Sequence, residues 1–144
     1  MNSGEIVQRQ NAVSSKNIDE LDTTILSTEQ KIAYDLYKQG KNIFLTGPGG
    51  TGKTKLIQYF IQYSQSKNQK FQVCALTGCA AILLNCNART IHSWSGIKLA
   101  KGTKESIIDK VISNRNAKRN WKQASILILD EVSMLSKKIF EIIE

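Results

Sequence analysis

The chain has 144 residues but only one proline, three cysteines and an aromatic share of 7%. A single proline excludes collagen-like and proline-rich linker sequences. Cys74, Cys79 and Cys86 are odd in number and their spacings fit no zinc pattern. Two of them stand in apolar surroundings, where a free cysteine is usually a small core residue. Reduced thiols point to an intracellular compartment, whether nucleus, mitochondrion or a viral or cytoplasmic replication site. Apolar runs stay far below the roughly 18 residues that a membrane-spanning helix needs. The opening MNSGEIVQRQ has no apolar stretch of the kind a secretory signal requires. No membrane role is expected.

The most informative absence is of negative charge. Residues 41–100 hold seven Lys and Arg and no Asp or Glu, a net of +7, whereas residues 1–40 carry −2 and residues 101–144 carry +3. A long stretch without carboxylates suits a surface that meets phosphate, the simpler alternative being a solvated basic face. With 41% apolar and 22% charged residues, the whole has the composition of an ordinary globular domain.

What is present alternates between strand and helix patterns. Residues 1–24 are polar without clean periodicity and read as an N-terminal extension. Ser27 and Gln30 fit a capping box ahead of an apolar stripe of Ile32, Ala33, Leu36 and Tyr37, and Gly40 ends that helix. Asn42–Thr46 reads as a short buried strand, followed by GPGGTGKT and a helix carrying Leu56, Tyr59, Phe60 and Tyr63. Phe71–Leu76 reads as a second strand, Thr77–Leu84 as a turn and short helix, and residues 90–99 as a loop with a brief helical piece. Ile107, Ile108, Val111 and Ile112 mark a helical face before the basic stretch Arg115–Lys122. Ile126–Leu129 is a third strand, with four apolar residues in a row as in a parallel sheet covered on both faces, and a last helix begins near Ser136. The pattern predicts an α/β parallel sheet flanked by helices.

Gly47-Pro48-Gly49-Gly50-Thr51-Gly52-Lys53-Thr54 satisfies G-x-x-x-x-G-K-[ST] after a strand and at the start of a helix. The glycines let successive N–H groups converge on phosphate oxygens, and the helix aims its positive end at the same anion. Lys53 is then expected to reach the β- and γ-phosphates of ATP, and the Thr54 hydroxyl to ligate Mg²⁺. Downstream, Ile126–Leu129 ends in Asp130-Glu131. A strand-end carboxylate there suits Mg²⁺ binding through Asp130, and its neighbour Glu131 suits polarisation of an attacking water. Two adjacent acids favour hydrolysis over phosphoryl transfer to a metabolite.

LSTEQ (26–30), TGPGGTGKT (46–54), LTGCAAILL (76–84), TIHSW (90–94) and LILDEVSML (127–135) form an ordered series. The series resembles the N-terminal motor domain of the Pif1-like DNA helicases of superfamily 1, with RecD-type helicases as nearest competitors. The resemblance covers residues 26–144, and Trp121 ahead of the acidic pair is also similar to that family. It implies a P-loop NTPase (RecA-like) fold over residues 25–144, as an incomplete first motor domain without its second. It implies an ATP-dependent helicase, acting 5′ to 3′ on single-stranded DNA in repair, recombination, replication or telomere maintenance. The 144 residues alone are then expected to bind nucleotide weakly, to act as a monomer and not to unwind; the alternative is a truncated nucleotide- and nucleic-acid-binding module without turnover.

By the same resemblance Gln30 matches the adenine-reading glutamine, beside its capping role. Thr77, Gly78, Thr90, His92 and Ser93 match positions that run along single-stranded DNA, and Arg89 adds a phosphate contact. Thr90 and His92 have plainer alternatives, a helix cap and satisfied backbone groups, and Trp94 nearby has core packing as the alternative to base stacking. Asn87-Ala88 stands where the family usually has a glycine pair, and Asn tolerates the left-handed backbone such a turn uses.

Overall fold

The computed structural model describes residues 22–144. The polar extension therefore lies outside the described residues up to position 21. A 3₁₀ turn at Thr23–Ile25 is capped by Asp22, whose carbonyl accepts the Tyr59 hydroxyl at 3.0 Å.

Helix α1 (Thr28–Lys38) starts at the expected capping box. Ser27 Oγ accepts the Gln30 N–H at 3.2 Å, and Gln30 Oε1 accepts the Ser27 N–H at 3.0 Å. It stops at Gly40, whose φ of 71° lets Gly40 N–H reach Tyr37 O and Lys41 N–H reach Leu36 O, a Schellman closure. The buried stripe departs from expectation. Ala33 and Tyr34 are buried while Ile32 is 56% exposed and Leu36 also faces solvent. The phase is set by α2 (Lys53–Ser66), which presents aromatic rings: Tyr37 stacks on Phe60 with centroids 4.2 Å apart, and Tyr34 meets Tyr59 edge-on at 6.0 Å. Aromatic contact area outweighs the two aliphatic side chains and rotates the arc towards the tyrosines.

The described sheet has three parallel strands in the order β2-β1-β3, with β1 at Phe71–Ala75, β2 at Arg89–Thr90 and β3 at Ile126–Leu129. Alternation along β1 covers both faces. Val73 and Ala75 pack with Ile57 and Ile61 of α2 and with Ala81 and Leu84, while Cys74 packs with Ile91 and Trp94 on the opposite side. Helix α3 (Gly78–Leu83) follows β1; α4 (Ile91–Ser95), α5 (Lys104–Ser113) and α6 (Arg115–Gln123) fill the crossover from β2 to β3; and α7 (Lys137–Ile143) comes last. Every described α-helix except α2 is N-capped by a side chain, from Ser27, Thr77, Thr90, Thr103, Asn114 and Ser136 in turn. No described helix is long and apolar enough to cross a membrane.

Three further expectations change. Asn42–Thr46 is not a strand: no described strand pairs with it, so its backbone has no ladder, and Phe44 is 76% exposed while Leu45 alone docks on the α1–α2 cluster. Ile126–Leu129 is half-buried rather than buried, because β3 stands at the edge of the described sheet. The second strand ends at Ala75, and the basic stretch Arg115–Lys122 is itself helical.

Candidate nucleotide and nucleic-acid site

Because the three strands run parallel, their carboxyl ends share one edge, the usual ligand side of an open α/β sheet. Thr90 is paired with Ala75, and Asp130 N–H donates to Cys74 O at 2.9 Å, which sets Asp130 one residue past β3 on the same edge. Leu45 and Ile128 pack against one cluster, so the segment entering the glycine loop and β3 border the same core.

The loop is built to leave backbone N–H groups open. Gly50 and Gly52 have φ of 77° and 80°. A Cβ on Gly52 would also lie 2.8 Å from Gln30 Nε2. Gly52 is the N-cap of α2 and supplies no side-chain acceptor, so the first N–H groups of a 14-residue helix are left for an anion. Lys53 Nζ donates to Gly47 O and Pro48 O, both at 2.8 Å, and Thr51 Oγ1 donates to Pro48 O at 2.9 Å. The ammonium is thus folded onto the concave side of the loop, where phosphate oxygens would compete for it. Thr54 is exposed in the first turn.

Gln30, placed in the sequence as cap or adenine reader, has a contact that spacing did not reveal. Its Nε2 donates to Thr51 O at 2.9 Å, tying α1 to the loop. One N–H and one lone pair of the amide remain after these bonds, enough for a bidentate adenine edge.

At the acidic pair, Asp130 Oδ1 accepts the Glu131 N–H at 2.9 Å, which leaves the other carboxylate oxygen open. Glu131 is exposed and left-handed (φ 56°), a conformation uncommon for this residue type and one that surrounding structure must hold. Burial pushes the Cys74 thiol of neighbouring β1 up to about 12.

The expected DNA residues gather at the ends of β1 and β2. Thr77 caps α3 by accepting Ala80 N–H at 3.2 Å, and Thr90 caps α4 by accepting Ser93 N–H at 3.3 Å. Gly78 is exposed with open space where a Cβ would stand. Exposed Arg89 donates from Nη2 to Ser93 Oγ at 3.4 Å, and His92 is half-buried. Asn85 and Asn87 adopt left-handed backbone between them (φ 45° and 57°). Trp94 is 2% exposed and packs on Trp121 with centroids 4.7 Å apart, so the core reading holds. Behind it, Asn120 Nδ2 donates to Trp94 O at 2.8 Å and Trp121 Nε1 to Ser95 O at 3.0 Å. Asn120 escaped notice in the sequence; its signal is the inward spacing of Ala117, Asn120, Trp121 and Ala124 on a basic helix.

A family model described as PIF1-like helicase matches residues 25–144. The chain belongs to the PIF1-like helicase family. It is 38% identical over 123 residues to Uncharacterized protein 030L of Invertebrate iridescent virus 6, covering 83% of this chain and 23% of that protein. It is 39% identical over 114 residues to ATP-dependent DNA helicase Pif1 of Psychrobacter sp. (strain PRwf-1), covering 76% of this chain and 16% of that one. A crystal structure of Pif1 helicase from Candida albicans superposes with a TM-score of 0.72 at 35% identity, over 82% of this chain and 28% of that chain. This PIF1-like chain thus spans about a sixth to a quarter of the length of those two curated relatives. The neighbour supports the P-loop, parallel-sheet α/β architecture.

Proposed function

We propose that the chain is the ATP-binding part of a Pif1-like DNA helicase, which couples ATP hydrolysis to 5′-to-3′ movement on single-stranded DNA. Repair, recombination, replication or telomere maintenance is the cellular setting, inside the cell. The observation that carries the reading is the shared edge. The strand-end acids follow β3, Thr77 and Gly78 follow the neighbouring β1, and Thr90 and Ser93 stand at the end of β2 beyond it, while Leu45 just before the glycine loop shares a core cluster with Ile128 of β3.

Each residue has a definite task. The open N–H groups of α2 and the loop hold phosphate oxygens, and Lys53 Nζ exchanges the carbonyls of Gly47 and Pro48 for the β- and γ-phosphates. Gln30 holds Thr51 and offers its remaining donor and acceptor to adenine. The Thr54 hydroxyl and the free Asp130 oxygen fit a hard cation, and Mg²⁺ bound there would neutralise charge on the phosphates. Glu131, exposed and turned by its left-handed backbone, accepts a proton from the attacking water. Threonine hydroxyls, the Gly78 N–H and the Arg89 guanidinium meet phosphate and sugar of one strand.

The test is ATP hydrolysis by the gene product that contains this chain, with and without single-stranded DNA. Stimulation by DNA, abolished in Lys53→Ala, is expected; unstimulated turnover, or turnover indifferent to Lys53→Ala, refutes the proposal.

A further inference from the structure

Helix α6 carries Arg115, Lys118, Arg119 and Lys122, all exposed. Their i, i+3, i+4, i+7 spacing gathers them within an arc of roughly 100° and a length of roughly 10 Å. The opposite face is fixed in place: Ala117 is buried, and Asn120 and Trp121 are bonded to the carbonyls of Trp94 and Ser95 on α4. The helix contains no acid, and among the described residues none of its four cations is ion-paired; Arg119 Nη2 only approaches Asn116 Oδ1 at 3.5 Å. Left to itself this arrangement opposes the helix. Arg115–Arg119 and Lys118–Lys122 are like charges one turn apart, and Arg115 sits at the positive end of the helix dipole. Tertiary packing holds together a stripe of charge that local physics would disperse.

We propose that this face of α6 binds the phosphate backbone of duplex DNA, at a surface distinct from the carboxyl-edge residues assigned to single-stranded DNA. No base can stack on the exposed face, because the only aromatic residue of α6, Trp121, is turned inward onto Trp94 with its N–H satisfied; the face addresses backbone phosphate alone. What the exposed face offers is cations on a rigid rod, suited to a polyanion whose bases are already stacked inside and whose charge lies about every 1.7 Å along the axis. A lipid surface would need apolar side chains to insert, and the exposed stripe has none. Duplex binding at α6 needs no hydrolysis, only the folded chain.

The experiment measures binding of a short blunt duplex, and separately of oligo(dT), by fluorescence anisotropy across a salt series. The chain is compared with its R115Q/K118Q/R119Q/K122Q variant. The variant should lose at least about tenfold in duplex affinity, and its log–log salt slope should fall by about 3 to 4, while oligo(dT) binding stays unchanged. R115K/R119K should retain duplex binding. Duplex affinity and slope unchanged in the variant overturn the inference. So does an equal loss for oligo(dT), which would assign the stripe to the single-strand site. Should the variant fold poorly, acetylation of the wild-type chain decides the matter. Duplex should protect Lys118 and Lys122, and absence of protection overturns the inference. A wild-type chain that binds duplex but not oligo(dT) would leave this surface standing and remove the single-strand site instead.

Discussion

Gln30 links the start of α1 to the phosphate loop, and replacing it in two ways separates its tasks. Its Oε1 accepts the Ser27 N–H at 3.0 Å and its Nε2 donates to Thr51 O at 2.9 Å. Gln30→Ala removes half of a capping box and a solvent-facing hydrogen bond, a loss of about 1–2 kcal/mol together. For a domain of this size that lowers the melting temperature by roughly 3–8 °C. Gln30→Glu keeps an acceptor for Ser27 and places a carboxylate in the first turn, where the helix dipole favours it. It also sets an oxygen against Thr51 O and removes the donor for adenine. Gln30→Glu should therefore melt above Gln30→Ala, while both lose preference for ATP over GTP by roughly 5- to 100-fold, the worth of a bidentate adenine contact. Thermal melts and competition of ATP and GTP against a fluorescent ATP analogue in Mg²⁺ read both effects. Wild-type melting together with wild-type preference in Gln30→Ala would refute the reasoning. An equal fall for ATP and GTP would leave Gln30 as a residue that positions the loop without reading the base.

Other outcomes follow from the same geometry. Gly52→Ala forces a Cβ against Gln30 Nε2 at a φ of 80°, so nucleotide-analogue binding should be lost while the sheet and α1 stay folded by circular dichroism; undiminished binding contradicts the loop geometry. Trp121→Ala removes the ring packed on Trp94 and the bond to Ser95 O, at about 2–4 kcal/mol, and should loosen α4 enough to weaken oligo(dT) binding; an unchanged urea midpoint refutes it. The Cys74 thiol, raised from 9.0 to about 12, stays neutral in the folded chain where the unfolded chain ionises. Stability from this group is fully present below pH 9 and is lost as pH rises towards 12, in the same direction as buried Tyr34 and half-buried Tyr37. Urea midpoints should fall less steeply above pH 9 in Cys74→Ala than in the wild type, and parallel curves would contradict the assignment.

The glycine loop's backbone was legible because it depends on residue types at fixed local spacing, and so were the Ser27–Gln30 box and the Gly40 stop. Elements that depend on distant neighbours were not. Asn42–Thr46 looks like a buried strand because Ile43, Phe44 and Leu45 are apolar, yet a strand needs a neighbour to complete its hydrogen bonds and none of the described strands lies beside it. Ile32 and Leu36 lost their place to Tyr34 because the aromatic face of α2 decides the phase of α1. The two-residue β2 is too short to show alternation, and α6 hid behind its charge because its packed residues, Ala117, Asn120 and Trp121, are few and mixed in polarity. Glu131's backbone has no sequence signal at all, since left-handed geometry in a glutamate is imposed from outside.

The claim on which the rest depends is that the glycine loop and the strand-end acids bind MgATP. Titration of the chain with a fluorescent ATP analogue tests it directly, with Mg²⁺ or with chelator, in the wild type and in Lys53→Ala. Saturable binding that needs Mg²⁺ and disappears in Lys53→Ala is the predicted result. Binding of equal strength in the variant, or no binding by a folded wild-type chain, contradicts it.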